Sequence, residues 1–223
     1  GLLDQGVSAF GEEQHLVAID CKTEEFSLVP LQEGVHFWVF NTQKKHALTD
    51  SFYADRHREC MDAYAVLKTM FPDLDCLADA SLEQLEAVSA ELTEAQLKRA
   101  RHVVTESMRV HEMAAALAEG DLTRMGNLLS ASHASSRHDF ENSCAELDFL
   151  VDALRGVEGV WGCRLTGGGF GGAVMAVTNA DFTEANANAA CEAYAKAFGH
   201  RPTIFHTMTG DGARLVSKQP AQA

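Results

Sequence analysis

This chain of 223 residues lacks the features that mark several specialised protein classes. It contains only 4 Pro and no low-complexity tract, which excludes collagen-like and largely disordered chains. No apolar run approaches the roughly 20 residues that a membrane-spanning helix needs. Basic residues are also few: 18 Lys and Arg stand against 32 Asp and Glu, and the net charge of −14 disfavours nucleic acid and anionic membranes as partners.

The cysteines and histidines lack the spacing of a metal site. The 6 Cys form no C-x-x-C pair, and the 10 His provide neither H-E-x-x-H nor zinc-finger spacing, so we predict no protein-only metal site. Widely spaced cysteines are typical of reduced thiols, and we expect a cytoplasmic location. The first residue is Gly1 rather than Met, without a basic leader, which suggests that Gly1 is not the natural beginning of the gene product.

Strand-like segments lie towards the two ends of the chain. Apolar periodicity and flanking turn residues predict six strands, at 16–21, 26–31, 35–41, 160–166, 173–178 and 203–208. A helix over about 181–198 precedes the last of them. Strands near both ends with most helices gathered between them predict an α+β fold with a mixed sheet.

The middle of the chain, residues 51–154, is helical in pattern. Apolar residues recur at helical spacing, which predicts a layer of helices with one buried face. Gly120 and Asp121 predict the end of one helix and the cap of the next. Three hydroxyl residues are followed by Gln or Glu three positions later, as in a capping box. These pairs are Ser81 with Gln84, Thr93 with Gln96, and Ser143 with Glu146.

The glycine-rich run at 167–172 is the most conspicuous segment. Glycine loses more backbone entropy on folding than other residues, so Gly167, Gly168, Gly169, Gly171 and Gly172 indicate a special backbone requirement. Two interpretations stay open: a loop whose N–H groups closely approach an anion or a substrate, or a tight turn between strands. The formal match to G-x-G-x-x-G does not predict dinucleotide binding, because a strand-like segment follows instead of a helix.

Three further segments contain residues suited to catalysis or binding. Asp4, in an apolar setting, is either a partly desolvated carboxylate suited to proton abstraction or an ordinary helix-start acid. Tyr53 would share a helix face with His57 and either hydrogen-bonds a polar ligand or is half-buried packing. The polar run at 132–141 is either the lip of a site or a solvated helix terminus.

Taken in order, these segments resemble the galactokinase family of the GHMP small-molecule kinases, over nearly the whole chain. The matching stretches are Gly1-Leu2-Leu3-Asp4-Gln5, then residues 45–60, 132–148 and 164–172. The resemblance implies transfer of the γ-phosphoryl group of ATP to the anomeric hydroxyl of galactose, giving galactose 1-phosphate. It also implies a ferredoxin-like C-terminal domain with inserted helices at 34–216. A remnant of the N-terminal α/β domain would precede it at 1–33, and a flexible tail would follow at 217–223.

The resemblance assigns a role to each site segment. Asp4 matches the catalytic aspartate, which accepts or polarises the proton of the attacking hydroxyl. Tyr53 matches the sugar-binding tyrosine, and Gly1 matches the glycine whose backbone lies against the sugar. The run at 167–172 resembles a loop that supports the active site from beside it, rather than the loop that cradles the phosphates of ATP.

Two motifs of the family are missing from the sequence. Neither the Gly-Glu-His-Thr-Asp-type sugar motif nor the Gly-Leu-Ser-Ser-Ser phosphate loop is present. We therefore expect the phosphate loop and the Mg²⁺ ligands in an upstream half, which would be a structural partner, and we expect this chain alone to be catalytically incompetent. Two alternatives remain: a regulatory protein that senses galactose and ATP without useful catalysis, and a kinase for N-acetylgalactosamine.

Overall fold

Residues 2–44 and 49–215 are described by the computed structural model. Its helices are α1 (Leu2–Phe10), α2 (Thr49–Met70), α3 (Leu82–Ala87), α4 (Glu94–Glu119), α5 (Leu122–Ser135), α6 (Ala145–Leu154) and α7 (Glu184–Phe198). Its strands are β1 (His15–Asp20), β2 (Glu25–Pro30), β3 (His36–Asn41), β4 (Val160–Thr166), β5 (Ala173–Thr178) and β6 (Thr203–Thr207). A π-helical turn, Ser136–Phe140, follows α5. Gly1 and the expected tail at 217–223 lie outside the described residues.

A four-stranded sheet in the order β4-β5-β3-β6 forms the centre of the fold. Its apolar face packs on α6 and α7, with Phe40, Leu165 and Val174 completely buried between the layers. Every pair of neighbouring strands is antiparallel, so the expectation of a mixed sheet was wrong. The reason is that the glycine-rich run joins β4 and β5 as a hairpin, and β3 pairs antiparallel with both β5 and β6. The α+β class is confirmed.

The helices between β3 and β4 form a layer with a core of its own. Leu67, Leu85, Val88 and Val104 of this layer are buried together. Helix α5 is the element that joins the layer to the sheet, because its backbone packs directly on β4. A Cβ atom added to Gly126 would lie 2.0 Å from the carbonyl oxygen of Trp161, so this approach requires glycine. The end of α5 is thereby fixed beside the strand that leads into the glycine-rich run.

Most of the predicted helix signals are confirmed. The capping boxes of Ser81 with Gln84 and Thr93 with Gln96 are both formed. Gly120, with φ of 71°, ends α4, and the Asp121 side chain caps α5. No helix in the described ranges combines the length and apolar character that crossing a bilayer requires.

Two helices begin at residues other than those predicted. Helix α6 begins after Cys144, and the Ser143 hydroxyl donates instead to Asp148 Oδ1 at 2.6 Å, a stronger acceptor than a backbone partner. Helix α7 begins at Glu184, a few residues after the predicted Asp181, because Thr183 and Asn186 form the capping box there.

The N-terminal segment forms a small unit beside the main sheet. Strands β1 and β2 pair as a separate two-stranded sheet, and α1 packs on it through Gly6 and through Phe10, whose ring stacks on Phe26 at 4.6 Å. The last described residues return to this unit: the amide of Gly212 donates to the carbonyl of Gly11 at 2.7 Å, and the amide of Ala213 donates to that of Ser8 at 2.5 Å. The domain limits at 33 and 216 stay a prediction.

Candidate active site

The glycine-rich run packs against the N-terminal part of α2. A Cβ atom added to Gly168 would lie 1.1 Å from the hydroxyl oxygen of Tyr53, so that hydroxyl sits where a side chain would otherwise be. The Phe170 ring stacks on Phe52, with centroids 5.2 Å apart, and meets the Tyr53 ring edge-on at 5.7 Å. The structure therefore brings together two segments that the sequence nominates separately, Tyr53 and the glycine-rich run.

Asn142 holds the opposite side of the run. Its backbone carbonyl accepts a hydrogen bond from the amide of Phe170 at 2.6 Å, and its side-chain amide donates to the carbonyl of Gly168 at 3.1 Å. Gly169 has a φ of +84°, and a Cβ atom there would lie 2.1 Å from the Asn142 carbonyl oxygen. Glycine is required at this position both by the backbone conformation and by the closeness of Asn142.

The third attachment of the run comes from the end of β3. The carbonyl of Gly172 accepts from the amide of Thr42 at 2.8 Å and from its hydroxyl at 2.7 Å. A Cβ atom on Gly171 would lie 2.8 Å from the carbonyl oxygen of Lys44. The Lys44 ammonium itself lies 2.8 Å from Glu146, and this hydrogen bond raises the lysine pKa. The run is thus a turn between two strands, and its glycines closely approach protein atoms on three sides.

Asp4 lies in the first turn of α1. Its side chain is exposed, and neighbouring Leu3 is 64% exposed, so the interpretation of Asp4 as a desolvated carboxylate was wrong for this chain. The reason is that α1 packs on β1 and β2 by one face only. Among the described residues, no hydrogen bond or ion pair joins Asp4 to Tyr53 or to the glycine-rich run. Gly1, predicted to lie against the sugar, is outside the described residues.

The polar run at 132–141 begins inside the fold. Ser132, His133 and Ser135 are nearly completely buried, so the interpretation as a solvated helix terminus was wrong for this first part of the run, whereas Arg137, His138 and Glu141 are exposed. His133 Nδ1 accepts a hydrogen bond from the amide of Leu165 at 3.3 Å, and Nε2 lies 3.3 Å from Asp148 Oδ1. Burial lowers the pKa of His133, against the attraction of Asp148. The ring is therefore neutral and supports β4 two residues before the glycine-rich run.

A second polar group, partly buried, lies under the π-helical turn. His102 Nδ1 and the hydroxyl of Ser135 are 3.0 Å apart, and that hydroxyl donates to Asp139 at 3.0 Å. The His102 ring stacks on Phe140, with centroids 4.5 Å apart. Burial lowers the pKa of His102 to about 4. Both histidines thus contribute packing and neutral hydrogen bonds near pH 7.

The described ranges 2–44 and 49–215 contain no group of three or more His, Cys, Asp or Glu side chains that could hold a metal ion. The six cysteines are free thiols, and burial raises the pKa of Cys60 to about 11 and of Cys163 to about 12. These two thiols are therefore protonated near neutral pH and are poor nucleophiles.

Comparison with known proteins agrees with this geometry. Residues 113–200, which include α5, the glycine-rich run and α7, match the family described as GHMP kinases C terminal. Residues 113–200 therefore carry a GHMP kinase C-terminal domain. The chain is also 37% identical over 216 residues to a galactokinase of Roseiflexus sp. (strain RS-1) and 37% identical over 220 residues to one of Haemophilus influenzae (strain PittGG).

A solved structure resembles nearly the whole chain, including the N-terminal unit that precedes the GHMP domain match. The crystal structure of Lactococcus lactis galactokinase complexed with galactose matches with a TM-score of 0.86 and 34% identity, over 95% of this chain. The chain spans about half the length of the proteins it matches: 55% and 56% of the two relatives, and 55% of the solved chain. The resemblance to the galactokinase family that the motifs indicate is confirmed.

Sequence reasoning missed two residues that hold the loop of the GHMP domain. Asn142 lies 26 residues before the Gly168 carbonyl that it contacts, and Thr42 lies 130 residues before Gly172. Neither belongs to a recognisable local pattern, because both act through contacts that only the folded chain creates. The available signal was indirect: several adjacent glycines indicate that other atoms approach the backbone closely.

The partly buried His102 predicts a loss of stability in acid. His102 titrates with a pKa of about 4 in the folded chain and near 6.5 when unfolded, so protonation favours the unfolded state as the pH falls from 6.5 towards 4. We expect the urea midpoint to fall between pH 7.5 and 5, and to fall less in His102→Gln. The exposed His111→Gln is the control and should follow the wild type. Equal pH dependence in all three proteins would contradict the prediction.

Proposed function

We propose that this chain is the C-terminal part of a sugar kinase that transfers the γ-phosphoryl group of ATP to the anomeric hydroxyl of galactose. The observation that carries the proposal is the match, over 95% of this chain, to a galactokinase complexed with galactose. The packing of Tyr53 on the glycine-rich run supports it, since two segments matched by motif are also neighbours in space.

In the proposed reaction the anomeric hydroxyl attacks the γ-phosphorus of ATP. A new bond forms between the sugar oxygen and phosphorus, the bond to the bridging oxygen of ADP breaks, and the hydroxyl proton passes to the Asp4 carboxylate. Asp4 acts by accepting or polarising this proton, because phosphoryl transfer depends mainly on positioning and charge stabilisation. The Tyr53 hydroxyl binds the sugar, and the backbone of Gly1 lies against it.

The contacts of the glycine-rich run support a structural role beside the site. The amide of Phe170 already donates to Asn142, and the space beside Gly168, Gly169 and Gly171 is filled by Tyr53, Asn142 and Lys44. A loop that cradles phosphate groups needs free N–H groups directed at the ligand. We therefore propose that the phosphate loop and the ligands of Mg²⁺ lie in an upstream half, and that the glycine-rich run supports Tyr53.

The exposed apolar face of α1 supports that upstream half as a structural partner. Leu3, Val7 and Phe10 are 64%, 44% and 52% exposed. A cavity of about 460 Å³ adjoins Phe10 and Phe26, and within the described residues the sheet under α1 consists of two strands. Contiguous exposed apolar surface marks an interaction site, and isolated two-stranded sheets are marginally stable. We propose that the upstream half covers this face and completes the active site around Asp4.

The proposal is tested by galactose-dependent consumption of ATP in a coupled assay. We expect the chain alone to show no turnover above its Asp4→Asn variant, and the protein extended by its upstream half to phosphorylate galactose. Turnover by the chain alone would refute catalytic incompetence, and no turnover by the extended protein would refute the proposed activity.

The same assay, together with calorimetry of galactose binding, separates the two alternatives. Saturable binding of galactose to the extended protein without turnover would favour the sensor, and faster turnover with N-acetylgalactosamine would favour that sugar as the substrate. Neither alternative gains support from the relatives described above, which are galactokinases.

A further inference from the structure

Two arginines and two glutamates form a partly buried ionic cluster between α2, α4 and the π-helical turn. Arg99 of α4 lies at its centre, and its side chain is only 3% exposed. Arg99 Nε lies 2.7 Å from Glu59 Oε2, and Nη2 lies 2.7 Å from Glu141 Oε2. Arg56 of α2 lies 3.2 Å from the same Glu59 oxygen. None of these four residues is assigned a role in the proposed reaction.

The two arginines also donate hydrogen bonds to backbone carbonyls of the π-helical turn. Arg99 Nη1 donates to the carbonyl of Asp139, Arg56 Nε donates to that of Phe140 at 2.7 Å, and Arg56 Nη2 donates to that of Glu141 at 3.3 Å. The last carbonyls of a helix have no helical donor, and these three consecutive ones are satisfied by guanidinium groups instead. This arrangement fixes the chain at Glu141, where φ is +53° and the helix ends.

The next residue in the chain is Asn142, which forms hydrogen bonds with the glycine-rich run. Its carbonyl and side-chain amide bind the run at Phe170 and Gly168, as described above. The arginine cluster binds Glu141, and the adjacent residue Asn142 binds the glycine-rich run, so the cluster and the run are connected through one peptide bond. Helix α2 touches the run a second time, directly, because Tyr53 lies one helical turn before Arg56 and contacts Gly168 and Phe170.

We propose that Arg56 and Arg99 are positioning residues that hold the glycine-rich run against Tyr53 and thereby fix the sugar-binding hydroxyl. This inference rests on the proposed role of Tyr53. Arginine suits the task because its planar, permanently charged group reaches two carboxylates and several carbonyls at once, whereas a lysine ammonium is a single point charge without that fork. Arg99→Lys therefore keeps the buried positive charge but cannot contact Glu59, Glu141 and the Asp139 carbonyl at the same time.

The test compares Arg99→Lys with Arg124→Lys, a control at an arginine of α5 whose side chain is 40% exposed. Amide hydrogen exchange is measured on the 223-residue chain. We expect exchange at Phe170 to accelerate about tenfold in Arg99→Lys, with little change at the amides of β5, which is paired on both sides. In the protein extended by its upstream half, the KM for galactose should rise about threefold or more with kcat nearly unchanged. Arg56→Lys replaces Arg99→Lys if the latter does not fold.

Three results would overturn the inference. Equal acceleration at Phe170 and in β5 would indicate a general loss of stability, and no acceleration at Phe170 would show that the cluster does not hold the run. Faster exchange at Phe170 alone, with an unchanged KM for galactose, would show that the arginine cluster has no influence on sugar binding. Failure of the proposed function is a different result: the extended wild-type protein would phosphorylate no galactose, while the exchange data would still decide whether the arginines hold the run.

Discussion

Replacing Gly169 by alanine is expected to lower the free energy of unfolding by about 3 kcal/mol. Two effects add at this position. The φ of +84° disfavours any residue with a Cβ atom, and that atom would lie 2.1 Å from the Asn142 carbonyl oxygen. The carbonyl cannot withdraw without breaking its 2.6 Å hydrogen bond from Phe170, so relief of the clash disrupts the loop.

The control for this substitution lies in the same loop. Gly167 has a similar φ of +78°, but among the described residues no atom beyond its two chain neighbours lies within 4 Å of the Cβ position. Gly167→Ala should therefore lose only the conformational part, about 1 kcal/mol. Urea denaturation of the two variants measures the difference, and equal losses would show that the closeness of Asn142 has no influence on stability.

Replacing Asp4 by asparagine is expected to lower kcat by about 10²- to 10⁴-fold in the protein extended by its upstream half. Asparagine keeps the size and polarity of the side chain but cannot accept the proton of the attacking hydroxyl. Because Asp4 is exposed on α1, the thermal midpoint of the chain should stay nearly unchanged. The KM for galactose should change little, since the lost interaction acts on the transferred proton.

Asp62→Asn, at another exposed aspartate, controls for the loss of one negative charge. We expect it to keep the kcat of the wild type. A kcat of Asp4→Asn within threefold of the wild type would remove Asp4 from the proposed mechanism, while the family assignment of the chain would stand.

The strands and most helix starts could be predicted because their signals are local. The limits of β4 and β5 agree with those predicted, since turn residues flank apolar segments on both sides. The Ser143 box failed because a carboxylate, Asp148, competes for the serine hydroxyl. The burial of His133 could not be predicted from local sequence either. A run of polar residues normally indicates exposure to solvent, but here β4 packs on the run and buries the histidine.

The individual residues of the site could be predicted from the sequence, but the contacts between them could not. The sequence nominates Tyr53 and the glycine-rich run, and the resemblance assigns their roles. Their contact, however, joins positions far apart in the chain, and so do those made by Asn142 and Thr42. Such contacts depend on how α2 and the π-helical turn pack on the sheet, which no local pattern encodes.

The return of the last described residues to the N-terminal unit makes the two ends of the chain depend on each other. Gly212 and Ala213 bind the backbone at the end of α1, the helix whose first turn carries Asp4. A deletion after β6, or a bulky tag placed there, would therefore release α1 and disturb the proposed catalytic aspartate, Asp4, from the other end of the described chain. In this protein, residues some two hundred positions apart are held together by backbone hydrogen bonds, so a change at one is expected to displace the other.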